Sequence, residues 1–307
     1  RPFFLYLAYI APHFPLQARP ADIRRYEHTY DVGYESIRRD RFARQKQRGI
    51  VPPDCQLSPA VTPAWASVDA TTEARKMAVY AAQVDRLDQN IGRLQQTLQA
   101  EGLFENTLIM FLSDNGGCAN GFNKTPQAVM GTRHSNAAYG KWYNVSNTPY
   151  RKAKSQEHEG GILTPLVVQW PAGLGAPGKL VHQPVHIMDI LPTCLDVAGA
   201  DYPQAWQGRT LDPVDGTSFA NLLRGRSDES PVRTLCWEHE GNRAIRRGRW
   251  KLVALRKQDW ELYDLQNDPT ELRDLSEQRA DLVTTLSRAY ESWAKAHGVR
   301  PWPLRRR

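Results

Sequence analysis

The chain has 307 residues, 41% of them hydrophobic and 24% charged, an ordinary globular composition that excludes disordered and collagen-like classes. Its 40 Lys and Arg against 33 Asp and Glu give a net charge of +7, which favours anionic partners. No apolar stretch is long enough to span a bilayer, and no helix-turn-helix, finger or basic–aromatic platform points to nucleic acid.

In chain order, residues 2–10 read as a buried strand closed by Pro12-His13-Phe14-Pro15. Residues 20–48 are charged and helical in character, and 51–68 read as a Pro-rich loop. From Thr72 to Gly102 runs the strongest helix, with Met77, Tyr80, Val84, Leu87, Ile91, Leu94 and Leu98 at helical spacing. Thr71 or Thr72 is its expected cap, and Gly102 fits a left-handed end. A strand over 107–112 follows at once, giving a unit of α/β type.

The loop over 116–150 is too long for a mere connector and is expected to be functional. Residues 163–170 read as another strand and 185–198 as a short buried helix. From about residue 203 the character changes. Residues 250–255 and 260–265 read as paired antiparallel strands, and Ser276 to His297 as a closing helix with Leu282, Leu286, Ala289 and Trp293 on one face. The expected organisation is an α/β domain over 1–205 and a small α+β domain over 206–307. Cys55, Cys118, Cys194 and Cys236 are widely spaced, with no C-x-x-C pair and no disulfide-scaffold pattern. The triple arginine Arg305 to Arg307 reads as solvated surface.

Three clusters carry chemistry. Asp114-Asn115-Gly116-Gly117 follows an apolar strand and offers hard oxygen ligands suited to Ca²⁺ or Mg²⁺, although Asn-Gly is also a common turn dipeptide. His13 lies in a proline-rich turn just past the first apolar run. It would share a sheet edge with Asp114 if the two strands ran parallel, and otherwise reads as a structural histidine. Lys154, in a charged stretch ending Glu159-Gly160-Gly161, is a point charge suited to an anionic substrate or, alone, a surface lysine.

Taken together and in this order, the clusters resemble the sulfatase family, arylsulfatase type, of the alkaline-phosphatase-like superfamily. The resemblance covers Pro2 to Ala18, Leu108 to Gly117 and Tyr139 to Pro171, and extends to Gly241–Arg246 and Glu261–Leu265 with Asp268-Pro269. It implies part of an alkaline-phosphatase-like three-layer sandwich, followed by a small α+β domain with an antiparallel sheet and closing helix. It also implies sulfate monoester hydrolysis, with a phosphodiesterase or phosphonate monoester hydrolase of the same superfamily as the alternative. Asp114 and Asn115 match the family's metal-binding pair, with calcium ahead of magnesium; His13 matches the histidine near the leaving group, and Lys154 the lysine on a sulfate oxygen.

The family's formylglycine nucleophile arises in a C/S-x-P-x-R motif, which none of the four cysteine contexts fits. The resemblance therefore implies the C-terminal portion of a sulfatase, with the nucleophile and the remaining metal carboxylates upstream and no activity in this chain alone. Implied partners are small-molecule or carbohydrate sulfate esters, and the compartment it suggests is periplasmic or secreted. His134 and Lys141 read as solvated loop residues, and His182, His186 and Asp189 as structural. Asn123-Lys124-Thr125 and Asn144-Val145-Ser146 fit the glycosylation sequon.

Overall fold

A computed structural model describes residues 2–226 and 232–303; the arginines at 305–307 lie outside the described residues. The helices are α1 (Pro20–Arg24), α2 (Gly33–Gln47), α3 (Ala70–Ala100), α4 (Tyr143–Ser146), α5 (Glu159–Ile162), α6 (Ile190–Ala198), α7 (Ala220–Leu223) and α8 (Ala280–Ala296). The strands are β1 (Ile109–Leu112), β2 (Leu166–Gln169), β3 (Ala205–Trp206), β4 (Arg209–Thr210), β5 (Thr234–His239), β6 (Asn242–Arg247), β7 (Trp250–Ala254) and β8 (Glu261–Asp264). These elements form two compact units interleaved along the chain. One comprises Arg1–Gln96, Asn115–Thr164 and Thr234–Arg307; the other comprises Thr97–Asp114 and Pro165–Arg233.

In the first unit, α3 presents Met77, Ala78, Val79 and Ala82 to a core shared with Leu16, Ile23, Tyr34, Tyr139, Trp142 and Val145. Of the expected stripe, Met77 enters this core and Tyr80 packs against it, whereas Val84 is exposed and the deeply buried Ala78, Val79 and Ala82 lie outside the stripe. The helix begins earlier than the threonines suggest. Asp69 is its cap: Oδ1 accepts the Thr72 backbone N–H at 3.1 Å and Oδ2 the Thr72 hydroxyl at 2.6 Å. Gly102 ends the turn at φ +67°, and Leu103 N–H returns to Leu98 O at 2.8 Å, as a left-handed cap requires.

The long loop is anchored from within. Trp142 is fully buried beside Tyr30, Tyr34 and Trp65, and its indole N–H donates to Glu73 O at 3.0 Å. Asn144 is buried too and accepts from Val61 N–H at 3.3 Å, so the second sequon is closed to modification in the folded chain.

Residues 2–10 overturn an expectation. They form no strand and lie exposed, Tyr6 at 80% and Ile10 at 81%. An apolar, β-prone run becomes a buried strand only where neighbours complete its hydrogen-bond ladder, and no strand pairs with this one among the described residues. A shared parallel-sheet edge is therefore not what places His13.

The four-stranded antiparallel sheet β5-β6-β7-β8 closes the chain. The β7–β8 pairing matches the sequence reading, whereas β5 and β6 were not expected as strands. They meet at Glu240-Gly241, both at positive φ (+54° and +85°), the backbone of a two-residue hairpin turn. Alternation splits the sheet's faces. Ile245, Leu252 and Leu262 pack on Leu286 and Tyr290 of α8. Ala244, Val253 and Tyr263 lie on the opposite face.

In the second unit, β1 pairs antiparallel with β2, in the register Ile109↔Gln169 to Leu112↔Leu166. Asp189, just before α6, is buried and grips the Arg233 guanidinium at 2.6 and 2.8 Å while accepting His186 N–H at 2.8 Å. No described helix is long and apolar enough to cross a membrane, and all four cysteines are free.

Candidate active site

The turn after β1 and the Lys154 loop interlock through their backbones. Gly116 N–H donates to Gly161 O at 2.9 Å, and Lys154 N–H donates to Gly117 O at 3.1 Å. Gly117 N–H donates to the Asn147 side-chain oxygen at 2.7 Å, and Asn147 Nδ2 reaches on to Lys152 O at 3.0 Å. Neither glycine tolerates a side chain. A Cβ on Gly116 would lie 1.9 Å from Gly160 O, and one on Gly117 would lie 2.8 Å from the Tyr139 hydroxyl. That hydroxyl accepts Cys118 N–H at 2.9 Å, and burial pushes its pKa above the ordinary phenol range.

Asn115 is half-buried, with Nδ2 donating to Gly116 O at 3.0 Å; Asp114 is exposed and ends the first segment of the second unit. Lys154 is half-buried, and its ammonium has no hydrogen-bond or ion-pair partner among the described residues. His13 lies in a turn whose neighbouring residues Phe14 and Leu16 contact loop 116–150. Its Nδ1 lies 2.8 Å from Phe14 O, Phe14 packs edge-on against Phe122, and Leu16 N–H donates to Ala137 O at 2.9 Å. Loop 116–150 is therefore the element shared by His13 and Lys154, although no hydrogen bond joins the two. His134 and Lys141 are exposed on it.

Behind Lys154 lies a polar network that sequence reasoning missed. Glu159, 4% exposed, binds Lys251 Nζ at 2.6 Å; the same ammonium lies 2.8 Å from Glu271 Oε1, and Glu159 N–H donates to Glu271 Oε2 at 2.9 Å. Burial alone would lower the Lys251 pKa, but the two carboxylates outweigh it and hold the ammonium above its ordinary value. His158 Nε2 lies 3.0 Å from Glu261 Oε2, which also accepts the Tyr263 hydroxyl at 2.5 Å. Burial would raise Glu261, yet these hydrogen bonds and the charge of Arg151 bring it down to about 2. Glu157 goes the other way: burial pushes it up to about 7 against the opposing charge of Lys251. The one signal in the sequence was Lys251 itself, a lysine inside an alternating strand between Trp250 and Leu252.

As donors for a divalent cation, Asp114 and Asn115 have the right chemistry, hard carboxylate and amide oxygens, but are two of the six to eight that calcium takes. Among the described residues no group of three or more His, Cys, Asp or Glu converges on a common point.

Known proteins resemble this chain along most of its length. The family model described as Sulfatase matches residues 1–200, and that described as N-sulphoglucosamine sulphohydrolase, C-terminal, matches 153–294. An uncharacterized sulfatase of Schizosaccharomyces pombe is 33% identical over 276 residues, 82% of this chain and 49% of the relative. An arylsulfatase of Klebsiella aerogenes is 34% identical over 240 residues, 72% of this chain and 52% of the relative. The chain thus spans about half the length of the curated relatives it matches. Among solved structures, Ps i-CgsB in complex with k-i-k-neocarrahexaose is 26% identical with a TM-score of 0.64, covering 95% of this chain and 50% of that one. The fold is that of the alkaline-phosphatase-like sulfatases, and the chain belongs to the sulfatase family.

Proposed function

We propose that this chain carries the sulfate-recognising portion of a sulfuric ester hydrolase acting on small-molecule or carbohydrate sulfate esters. The reading is carried by the interlock of the Asn115–Gly117 turn with the Lys154 loop, which sets that turn beside a lysine whose ammonium is unpaired among the described residues. A carbohydrate substrate is supported by the oligosaccharide named in the complex of Ps i-CgsB.

A sulfate monoester is a tetrahedral anion whose bridging oxygen gains charge as the S–O bond breaks. Lys154 binds a non-bridging oxygen through its three-donor ammonium. His13 delivers a proton to the leaving oxygen, so the alcohol departs neutral. Asp114 and Asn115 would hold a divalent cation, calcium ahead of magnesium, which when bound neutralises charge on the sulfate oxygens. The formylglycine nucleophile needs a C/S-x-P-x-R motif that this sequence lacks, and the reading assigns it to a longer polypeptide of which this chain is part.

The test is hydrolysis of p-nitrophenyl sulfate by the longer protein and by the 307-residue chain alone. The longer protein should turn over and the chain alone should not. Lys154→Ala in the longer protein should lower kcat/KM by about 10²–10³-fold, the size seen when one donor to a developing oxyanion is removed. Turnover by the isolated chain would refute the division of the site. Faster cleavage of a phosphonate monoester than of the sulfate would favour the phosphonate hydrolase of the same superfamily.

A further inference from the structure

We infer that the C-terminal sheet is a positioning device for Lys154, and that Asn242, Lys251 and Glu271 are its positioning residues. The inference rests on the reading of Lys154 as the sulfate ligand. Lys152 and Ser155, on either side of Lys154, are non-glycine residues at φ +70° and +73°. Such backbone persists only where the surroundings over-determine it, and it clusters at functional sites. Here the surroundings are the Gly117 and Asn147 contacts on one side and the sheet with the loop that follows it on the other.

Three ties from the C-terminal segment hold the loop. At its start, Arg151 Nη1 donates to Glu271 O at 2.8 Å and to the Tyr263 hydroxyl at 3.2 Å. In its middle, Asn242 Nδ2 of β6 donates to Ser155 O at 2.6 Å, on one of the two strained residues. At its end, Lys251 of β7 joins Glu159 and Glu271 in a fully buried ion triad. Between these ties Lys154 keeps its ammonium unpaired among the described residues. A loop fastened at both ends and at its strained centre presents that one cation at a fixed place. An ion triad serving stability alone would have no reason to coincide with the strained residues beside Lys154.

The test uses the longer, active protein with Lys251→Met and, in case that variant does not fold, Asn242→Asp. The aspartate keeps the oxygen that accepts Arg256 N–H but loses the donor to Ser155 O. Each variant should raise amide hydrogen exchange across 151–161 by about tenfold or more, and in Asn242→Asp α8 should keep its protection. Each should lower kcat/KM on p-nitrophenyl sulfate by about 10²-fold, the cost of about 1 Å of misplacement, and weaken competitive inhibition by inorganic sulfate. In a Lys154→Ala background the same substitutions should cost almost nothing further, because the group they position is gone. Unchanged exchange across 151–161 in the folded Asn242→Asp protein overturns the inference, and so does an undiminished kinetic loss in the Lys154→Ala background. If the protein hydrolyses no sulfate ester at all, the proposed function falls, while the exchange measurement still decides the positioning role.

Discussion

Two stretches of the first unit invert the usual relation between hydropathy and burial. Residues 2–10, from Phe3 to Ile10, are almost wholly apolar yet belong to no strand and lie exposed. Residues 151–161 carry an arginine, two lysines, a histidine and two glutamates, and bury Glu157, His158 and Glu159. Partners make the difference. Buried charge is tolerated where each group finds its complement, as Glu159 finds Lys251. An apolar run gains little from its composition where no neighbouring strand completes its ladder.

The largest expected effect breaks the buried side of this comparison. Lys251→Met leaves Glu159 and Glu271 uncompensated in a dry interior and should cost about 3–5 kcal/mol in urea unfolding. Removing all three charges, by Lys251→Met with Glu159→Gln and Glu271→Gln, should cost less than the single change, since no charge is then left unpaired. If the triple variant is the less stable one, the triad is held by packing rather than by charge.

A smaller effect sharpens the same region through pH. Unfolded, Glu157 ionises near 4.5; folded, burial holds its proton to about 7. Its contribution to stability is full below 4.5 and is lost as pH rises through 7, because the folded state then carries a poorly solvated carboxylate. Glu157→Gln should therefore be about 3 kcal/mol more stable than the parent at pH 8, with the difference vanishing below pH 4.5. Thermal unfolding at the two pH values measures it. Equal gains at both would show that something other than this proton is responsible.

Sequence reasoning read the parts of this molecule that repeat a local rule. The stripe from Met77 to Leu98, the glycine end at Gly102 and the β7–β8 pair with its closing helix all follow from spacing and turn chemistry. The interlock of Gly116 with Gly161 is legible only as two glycines before a loop, because the atom a Cβ would strike belongs to Gly160, over forty residues away. The hairpin β5–β6 escaped because Glu240 occupies a left-handed position usually marked by Asn or Gly. The ion triad escaped for a deeper reason: its members at 159, 251 and 271 sit in three separate segments, and only Lys251, inside a strand, carries a local signal. Only the pairing of β7 with β8, and the face that alternation gives Lys251, brings them together.

The smallest expected effect tests the exposed side. Tyr6 is 80% exposed and belongs to no ladder, so Tyr6→Ser removes little that folding has buried. In the 307-residue chain the substitution should change unfolding free energy by no more than about 0.5 kcal/mol, as at other surface positions. A tyrosine packed in a core would instead lose about 3 kcal/mol or more on truncation. A loss of that size would mean that residues 2–10 are covered in solution, and that apolar composition decides burial here after all. An effect near zero leaves hydrogen-bond partners as the deciding factor in both stretches. The charged loop is then buried because its complements exist, and the apolar run is exposed because no strand completes its ladder among the described residues.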